Sequence, residues 1–513
     1  MFLIAGLGLF LRLYKTESIP PHLSADEISI AYDAYSINRT LKDEHNDFLP
    51  LSFTSYGTYK APGYIYVLSP LFSFLDNNNF TARLPSILSG LLTVITIGLI
   101  AFQITNNKYI SIISSLLLLL SPWHIISSRA VLESNLAFFF LALAIYLFLK
   151  SISTKKILFV YFSIIFFAAS MYSYHTEWVF SPLLLIIMAF IFYKKNLKKL
   201  FLPILFFALL ISPLFLNYLG NLNTNARANT ELIWQSKDII NSIKNQPLIL
   251  SLLIIIKSIF IKYLEYTNIN YLFFNGTDYF NQGLFLWPLI YPFFIGILAL
   301  KKNIRKEYFI FFVIFVLLSP LVSALTKGPT NLIRNLNSVL PYTIIIAIGL
   351  SELLLKKVSF KLWVYFTLVF ISLYYFSISY FVDYPYKKAN SFQSYRPIAA
   401  YLKTNGKSYQ HFYIDYNFSQ SCHLIGVPHL YLSYYQTLNP KFLQNRINDS
   451  FGTNFDKYTI RKIDWNNIDL QKGNLYIVPI CNSPSTAISA KLEQVMKFDD
   501  YAANPAFEIW KTK

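Results

Sequence analysis

Residues 80–104, FTARLPSILSGLLTVITIGLIAFQI, form a long apolar run in which Arg83 is the only charged side chain. A helix of about 20 apolar residues is long enough to cross the hydrocarbon core of a bilayer. The run therefore predicts a membrane-spanning helix with an arginine close to its start.

Similar runs recur along the first three quarters of this 513-residue chain, which is 55% hydrophobic and only 14% charged. A soluble protein of this length is not expected to be so apolar. The predicted spans are residues 1–13, 80–104, 109–126, 135–149, 157–172, 178–193, 200–219, 284–300, 308–325, 339–355 and 362–382. We therefore predict an all-α polytopic membrane protein with about 11 transmembrane helices, the first of them short rather than a signal peptide.

Basic residues are clustered in five connections between these runs, at residues 108, 150–156, 194–199, 301–306 and 356–361. Cytoplasmic loops are enriched in lysine and arginine, so we place these connections in the cytoplasm. The protein is then expected in the cell membrane, with its C-terminal domain extracytoplasmic. If residues 248–264 crossed the membrane, the basic clusters at 301–306 and 356–361 would lie on the outer side. We therefore predict that this segment lies at the membrane interface.

The composition also divides the chain and limits its partners. We predict a membrane domain at residues 1–382, with structured outer loops at 14–79 and 220–283, and a soluble α/β domain at 383–513. YQHFYID and NLYIVPI, residues 409–415 and 474–480, are typical of strands. Cys422 and Cys481 are expected to pair if their compartment is oxidising. The net charge of +18 is spread over short clusters, which argues against a nucleic-acid partner.

An acidic pair, Asp26 and Glu27, follows the first apolar run on the predicted outer face. Ser24 and Glu27 fit the S-x-x-E capping box, which predicts that a helix begins here. In the structural interpretation, Asp26 only adds a favourable charge near the helix N-terminus. In the functional interpretation, the pair belongs to an active site.

Other ionisable or polar side chains are expected at the outer ends of several spans. They are Lys60, Arg83, His124, Arg129, Glu133, Tyr174, His175 and Glu177. Such groups are costly beside lipid, which makes them candidate functional residues. The alternative is that the arginines extend to lipid headgroups and the histidines cap helix ends.

At these positions the chain resembles the GT-C fold glycosyltransferases that use polyprenyl-phosphate sugars. The similar groups are bacterial relatives of the protein O-mannosyltransferases (glycosyltransferase family 39) and of the transferases that add aminoarabinose to lipid A. The shared features are the acidic pair, Lys-x-Pro at 60–62, Arg-Leu-Pro-Ser at 83–86, Pro-x-His at 122–124, and the late stretch PLVSALTKGPTNLIRNLNSVLP. The short first span and the small outer domain depart from the family pattern.

The resemblance implies a role for each candidate residue. Asp26 is the predicted general base, and Glu27 and Glu133 are the other two predicted catalytic residues. Lys60, Arg129 and Arg334 are predicted to bind the donor phosphate. Further candidates for the site are Arg83, His124, Tyr174 and His175.

The predicted function is an inverting transfer of a sugar from a polyprenyl-phosphate donor to a hydroxyl or amine of a protein, lipid or glycan acceptor. A carboxylate can take the acceptor proton, and the anionic leaving group requires cations rather than a proton. No cofactor is required, although Asp26, Glu133, His124 and His175 are suitable ligands for a divalent metal.

Two other functions are consistent with a polytopic membrane protein. One is a transporter or flippase for a lipid-linked sugar, although such proteins usually contain internal repeats, and none is visible in this sequence. The other is a membrane-anchored protein that binds a surface polymer, which would leave Asp26 and Lys60 without a function.

Overall fold

The computed structural model describes residues 2–55, 58–220, 232–244, 246–276, 283–355, 360–387, 391–417, 422, 426–449, 452–468 and 470–513. The chain forms two compact units. The first consists of Met1–Tyr14, Leu51–Tyr64 and Pro85–Tyr380, and the second of Lys15–Pro50, Ile65–Leu84 and Phe381–Lys513. The second unit thus combines the predicted C-terminal domain with two segments of the predicted outer loop 14–79.

Helices account for most of the described residues. They are α1 Phe2–Leu13, α2 Ala25–Thr40, α3 Gly63–Leu68, α4 Asn79–Thr105, α5 Lys108–Leu120, α6 Pro122–Ser127, α7 Glu133–Thr154, α8 Leu158–Ser173, α9 Glu177–Tyr193, α10 Phe201–Gly220, α11 Lys237–Ile243, α12 Leu248–Thr267, α13 Ile269–Phe273, α14 Ile290–Asn303, α15 Lys306–Ala324, α16 Val339–Leu354, α17 Phe360–Ile378, α18 Tyr384–Lys387, α19 Tyr395–Asn405, α20 Pro428–Gln436, α21 Pro440–Gln444 and α22 Thr486–Ser489. The strands are β1 Phe53–Ser55, β2 Thr58–Lys60, β3 His411–Ile414, β4 Ile447–Asp449, β5 Gly452–Phe455, β6 Tyr458–Arg461, β7 Asn474–Pro479, β8 Leu492–Asp499 and β9 Pro505–Thr512.

Every predicted span coincides with at least one of these helices. Six helical segments of the described chain are long and apolar enough to cross a membrane: Asn79–Thr105, Glu133–Thr154, Glu177–Gly220, Lys306–Ala324, Leu336–Leu354 and Phe360–Lys387. Two shorter apolar helices are α5 and α8. The larger number of about 11 crossings stays a prediction.

The longest of the six segments, Glu177–Gly220, is a helical hairpin. Asn196 interrupts it with a non-helical backbone (φ −139°, ψ 35°) in the lysine-rich turn Lys194–Leu200. Trp178 near the start of α9 and Tyr218 near the end of α10 have ring centroids 5.4 Å apart. The segment therefore contains two antiparallel helices, as predicted for residues 178–193 and 200–219.

The predicted span at residues 109–126 is wrong as one continuous helix. Ser121 adopts an extended backbone (φ −64°, ψ 123°), and Pro122 begins the separate helix α6. A proline disfavours the helical conformation of the residue before it, which explains the break. Helix α5 alone has 13 residues.

Helix α16 lies at the centre of the first unit, since all but two of its 16 residues are buried. It packs closely against α14 through Gly296 and Gly349. A Cβ atom at Gly349 would collide with the carbonyl of Pro292, and one at Gly296 would collide with the carbonyl of Ile345. Small residues of this kind allow membrane helices to approach closely.

The predicted interfacial segment 248–264 is the helix α12. The hydroxyl of Tyr263 donates to the carbonyl of Leu317 in α15 over 3.2 Å. Helix α12 is not one of the six candidate spans, and its depth in the membrane stays a prediction.

The C-terminal part of the second unit is built on a seven-stranded mixed sheet of order β4-β5-β6-β3-β7-β9-β8. The central strand β3 is parallel to β6 and β7, and the remaining pairs are antiparallel. Strands β3 and β7 confirm the two strands predicted at 409–415 and 474–480. Cys422 and Cys481 form the predicted disulfide, with Cα atoms 5.8 Å apart.

Helix α2 also belongs to the second unit, where C-terminal residues hold it in place. The hydroxyl of Tyr431 donates to the carbonyl of Leu23 over 2.6 Å, and that of Tyr35 donates to the carbonyl of Leu438 over 3.1 Å. Gln444 Nε2 donates to Ser36 Oγ over 3.0 Å. The helix that carries the acidic pair is therefore anchored at both ends by residues 428–444.

Candidate active site

The acidic pair lies at the N-terminus of α2, where the predicted capping box is confirmed. The backbone N–H of Ser24 donates to the Glu27 carboxylate over 2.8 Å, and the N–H of Glu27 donates to Ser24 Oγ over 3.3 Å. Glu27 is buried, whereas Asp26 at the second position of the helix is exposed. The two carboxylates therefore differ, because only that of Glu27 takes part in the cap.

A cavity of about 310 Å³ is present in the first unit. It is lined by four of the predicted site residues, Lys60, Tyr174, His175 and Arg334, together with Trp178, Tyr218 and Thr326. The structure thus gathers residues from three distant parts of the sequence around one space. Two of the four are cations.

A short hairpin positions Lys60. Strands β1 and β2 pair antiparallel, with Phe53 opposite Lys60 and Ser55 opposite Thr58. Lys60 is the last residue of β2, directly before Ala61 and Pro62, and only 4% of its surface is exposed. Its ammonium is thus held at the wall of the cavity, where its charge can contribute to the binding of an anionic ligand.

Arg334 lies in the connection between α15 and α16, which is folded back on the end of α15. Its Nη1 donates to the carbonyl of Lys327 over 2.7 Å, and its own carbonyl accepts from Ser323 Oγ over 2.8 Å. The N–H of Asn331 donates to the hydroxyl of Tyr266 over 3.3 Å. These bonds fix the backbone that carries Arg334.

Aromatic side chains form the wall of the cavity near α9. The rings of His175 and Trp178 are stacked with centroids 5.7 Å apart, and Trp178 packs edge-on against Tyr218. Trp178 Nε1 donates to the carbonyl of Met171 over 2.9 Å, which fixes the indole. The cavity therefore combines rigid apolar surface with positive charge.

Glu177 joins two of the loops that contribute to the cavity. It is buried, and its carboxylate accepts from Asn337 Nδ2 over 2.6 Å and from Ser181 Oγ over 2.7 Å. Asn337 is three residues beyond Arg334, and Glu177 is two residues beyond His175. This carboxylate thus ties the turn that carries His175 to the connection that carries Arg334.

The other predicted phosphate ligand, Arg129, lies at the C-terminal end of α1. It is fully buried, with Nη1 donating to the carbonyl of Leu11 over 2.7 Å and Nη2 to that of Tyr14 over 2.6 Å. It is not among the residues that line the cavity. Its role in phosphate binding stays a prediction.

Arg83 makes similar contacts in the second unit. It is fully buried, and its Nη1 donates to the carbonyls of Thr16 over 2.6 Å and Pro20 over 3.0 Å. Its Nη2 donates to the carbonyl of His22 over 2.8 Å. Arg83 therefore holds together the segment that leads into the acidic pair.

The remaining candidates in the first unit, His124 and Glu133, are not cavity-lining residues. The buried Nδ1 of His124 accepts from Arg12 Nη2 over 2.8 Å. Glu133 is the first residue of α7. Within the described parts of the chain, no three His, Cys, Asp or Glu residues form a group that could hold a metal ion, so the predicted metal stays untested.

Several cavity residues were not identified from the sequence, among them Trp178, Tyr218 and Thr326. Trp178 directly follows the noted His175 and Glu177 in HTEW, which is a signal that could have been used. Tyr218 offered none, because it is one of 38 tyrosines at the end of an apolar run. Arg227, which is also a cation of the predicted outer face, falls outside the residues that the structure describes.

Comparison with known proteins extends these observations. Residues 2–226 match the family model of the dolichyl-phosphate-mannose-protein mannosyltransferases, abbreviated PMT. No curated protein sequence matches the chain.

Solved structures give matches over most of the chain. ArnT from Cupriavidus metallidurans, bound to undecaprenyl phosphate, is 11% identical with a TM-score of 0.57, over 99% of this chain and 97% of ArnT. The oligosaccharyltransferase AglB from Archaeoglobus fulgidus, in complex with an inhibitory peptide and a dolichol-phosphate, is 13% identical with a TM-score of 0.52. That match covers 85% of this chain but only 63% of AglB. The fold is thus an ArnT-like GT-C fold of a multi-pass membrane protein.

Proposed function

We propose that this chain is a membrane glycosyltransferase that uses a polyprenyl-phosphate sugar, because residues 2–226 match the family model of the dolichyl-phosphate-mannose-protein mannosyltransferases. The protein transfers a sugar from a polyprenyl-phosphate donor to an acceptor hydroxyl or amine at the extracytoplasmic membrane face. Asp26 acts as the general base. The configuration of the sugar at C1 is inverted.

The observation that supports this proposal most strongly is the presence of Lys60 and Arg334 on one cavity. A phosphodiester that leaves as a polyprenyl phosphate develops negative charge, which positioned cations stabilise. The rings of Trp178 and Tyr218 in the cavity wall would pack against the sugar or against the first units of the lipid. The lipid phosphates bound to ArnT and AglB support a donor of the same class for this chain.

The proposed step is a single displacement. The acceptor oxygen forms a bond to C1 of the sugar as the bond from C1 to the phosphate oxygen breaks. The acceptor proton goes to the Asp26 carboxylate, and the electron pair of the broken bond stays on the polyprenyl phosphate. General-base assistance of this kind contributes roughly 10²–10⁴-fold to a rate.

The acceptor is proposed by analogy. The family description names mannose and a protein, and AglB was solved with a peptide. A protein hydroxyl is therefore the first acceptor to test, before the hydroxyls and amines of lipids or glycans.

The test uses Asp26→Asn in the full-length protein, with Asp238→Asn as a matched control. Asp238 is likewise an exposed Asp at the second position of a helix that a serine caps, in α11. With a polyprenyl-phosphate mannose and a serine- or threonine-containing peptide, we expect turnover to fall about 10²-fold or more in Asp26→Asn only. Membrane yield should be normal for both.

Two outcomes would contradict the proposal. Full turnover in Asp26→Asn would return this residue to a purely structural role at the helix N-terminus. Movement of the lipid-linked sugar across vesicles without any glycosylated product would favour a transporter.

A further inference from the structure

A second cavity, of about 990 Å³, lies at the other end of the helices that border the first one. It is formed by the turn between α7 and α8 and the turn between α9 and α10. Its polar lining consists of Lys155, Lys198, Lys199, Ser151, Asn196, Tyr161 and Tyr193. We call it the basic cleft.

The basic cleft and the Lys60 cavity lie at opposite ends of α9. Trp178 near the start of this helix lines the cavity, and Tyr193 at its end lines the cleft. The 17 residues of α9 correspond to about 25 Å of helix, close to the ~30 Å thickness of the hydrocarbon core. The cleft therefore opens at the membrane face opposite the Lys60 cavity.

The positive charge of the cleft is not neutralised by nearby carboxylates. Lys155, Lys198 and Lys199 are exposed, and none forms an ion pair with any residue that the structure describes. By contrast, Lys302 in another basic connection binds Glu352 over 2.9 Å. An anion from outside the chain is the partner that this arrangement favours.

The other side of the cleft is apolar and faces the surroundings of the helices. Phe201 and Leu202 at the start of α10 line the cleft and are 69% and 62% exposed. Ile152, Ile157 and Phe192 complete this side. Polar and apolar sides meet at the point where a membrane helix enters the bilayer.

The two turns are fixed relative to each other. Ser151 Oγ and the Tyr193 hydroxyl are 3.1 Å apart and hydrogen-bonded, which connects the end of α7 to the end of α9. Lys155, at the end of α7, adopts a left-handed backbone with φ +57°, which turns the chain at the edge of the cleft. The lysines therefore lie on a defined concave surface.

From these observations we propose that the basic cleft binds the headgroup of an anionic phospholipid. Lys155, Lys198 and Lys199 contact the phosphate, and the acyl chains run along Phe201 and Leu202. The volume lies within the range of about 300–1,000 Å³ typical of ligand sites, and basic pockets between membrane helices are suited to such headgroups. A soluble phosphate would leave the apolar side of the cleft uncovered.

The test compares two double substitutions within one turn of the purified full-length protein. Lys198→Gln/Lys199→Gln removes charge from the cleft, whereas Lys194→Gln/Lys195→Gln removes the same charge from residues that do not line it. Each variant is titrated with phosphatidylglycerol and with phosphatidylcholine, and native mass spectrometry measures the bound lipid. Glycerol phosphate is added as a soluble competitor.

We expect the affinity for phosphatidylglycerol to fall about thirtyfold in the first variant, because each lysine that contacts the headgroup contributes a factor of about five. The second variant should lose little, because Lys194 and Lys195 do not line the cleft. Equal losses in both variants would show general surface attraction and would overturn the site. No loss, or equally tight phosphatidylcholine binding, would also overturn it. Displacement of the lipid by equimolar glycerol phosphate would show a site for a soluble phosphate instead.

Discussion

The buried arginines and the cavity-lining cations are all predicted at the outer membrane face, but their surroundings differ. Arg83 and Arg129 are fully buried and donate to backbone carbonyls of residues 11–22. Lys60 and Arg334 line the 310 Å³ cavity of the first unit. A cation at the predicted outer face is therefore not enough to identify a phosphate ligand. The role of such a cation depends on which hydrogen-bond acceptors lie within its reach.

The surroundings of Arg129 have a simple physical explanation. The last carbonyls of a helix have no partner within the helix and carry partial negative charge. Helix α1 ends at Leu13, and Arg129 donates to Leu11 and Tyr14 on either side of that end. A guanidinium is always charged and offers several donors in one plane, which suits it to this position.

Among substitutions that distinguish the buried arginines from the cavity-lining cations, Arg129→Met is expected to have the largest effect. Two charge-assisted hydrogen bonds to the carbonyls of Leu11 and Tyr14 would be lost, which costs about 3 kcal/mol or more. Membrane abundance and thermal stability should fall, while turnover per folded molecule is retained. The control is Arg305→Met, because Arg305 is exposed and pairs with Glu307 at a span end.

Normal abundance with lost turnover in Arg129→Met would contradict this comparison. It would place Arg129 among the phosphate ligands, as the family resemblance implied. A loss of similar size in Arg305→Met would show that any charge at a span end is needed for insertion.

A smaller effect is expected for Lys60→Met, and it should appear in the use of the donor rather than in membrane abundance. One charge-assisted contact to the donor phosphate contributes about 2 kcal/mol, which corresponds to a roughly thirtyfold weaker use of the donor. Steady-state kinetics with varied donor should show a raised KM and unchanged membrane abundance. Lys60→Arg, which keeps the charge, should recover part of the loss. Reduced abundance without a change in KM would move Lys60 into the class of buried structural cations.

Glu177 tests whether the cavity depends on the bond between its two loops. Glu177→Gln keeps the shape but weakens the bonds to Asn337 and Ser181, so we expect turnover to fall about tenfold, or roughly 1.4 kcal/mol. Glu177→Gln/Asn337→Asp restores one donor–acceptor pair with reversed polarity and should regain activity. A double variant as impaired as the single one would show that the loops are held by other contacts.

The smallest effect concerns His429 of the second unit. Its charged neighbour Arg446 donates to the carbonyl of Glu44 over 2.9 Å. Burial, with the charges of Arg446 and His45, holds the pKa of His429 well below its ordinary value of about 6.5. The unfolded chain then binds more protons at mildly acidic pH, so stability is lost as the pH falls below about 6.5.

Between pH 7.5 and pH 6, this loss should be less than about 1 kcal/mol. Thermal unfolding of the full-length protein at the two pH values measures it, with His429→Gln as the comparison. The variant should lose less stability than the natural protein on acidification. Equal losses in both proteins would mean that His429 titrates normally.

Local sequence patterns predicted the helices and strands well, because apolar runs and alternation report burial within a single element. They also predicted the capping box of Ser24 and Glu27, whose partners are three residues apart. The break at Ser121 was missed because the apolar composition continues through Pro122. Pro122 itself is the sequence signal that could have revealed the break.

The long-range arrangements could not be obtained in this way. Whether an arginine contacts only carbonyls or also lines a cavity depends on residues far away in sequence, such as Leu11 for Arg129 and Lys60 for Arg334. The grouping of helix α2 with the C-terminal sheet depends on contacts such as that between Leu23 and Tyr431. No local periodicity records such a pairing.

That last contact has a consequence for how the protein is made. Leu23 and Tyr431 are 408 positions apart. At synthesis rates of about 5–20 residues per second, helix α2 leaves the ribosome roughly 20–80 s before the residues that anchor it. The acidic pair therefore gains its final setting only after residues 428–444 have been synthesised. A chain that ends before residue 428 lacks these anchors for α2, and if Asp26 has the proposed role it should not transfer sugar.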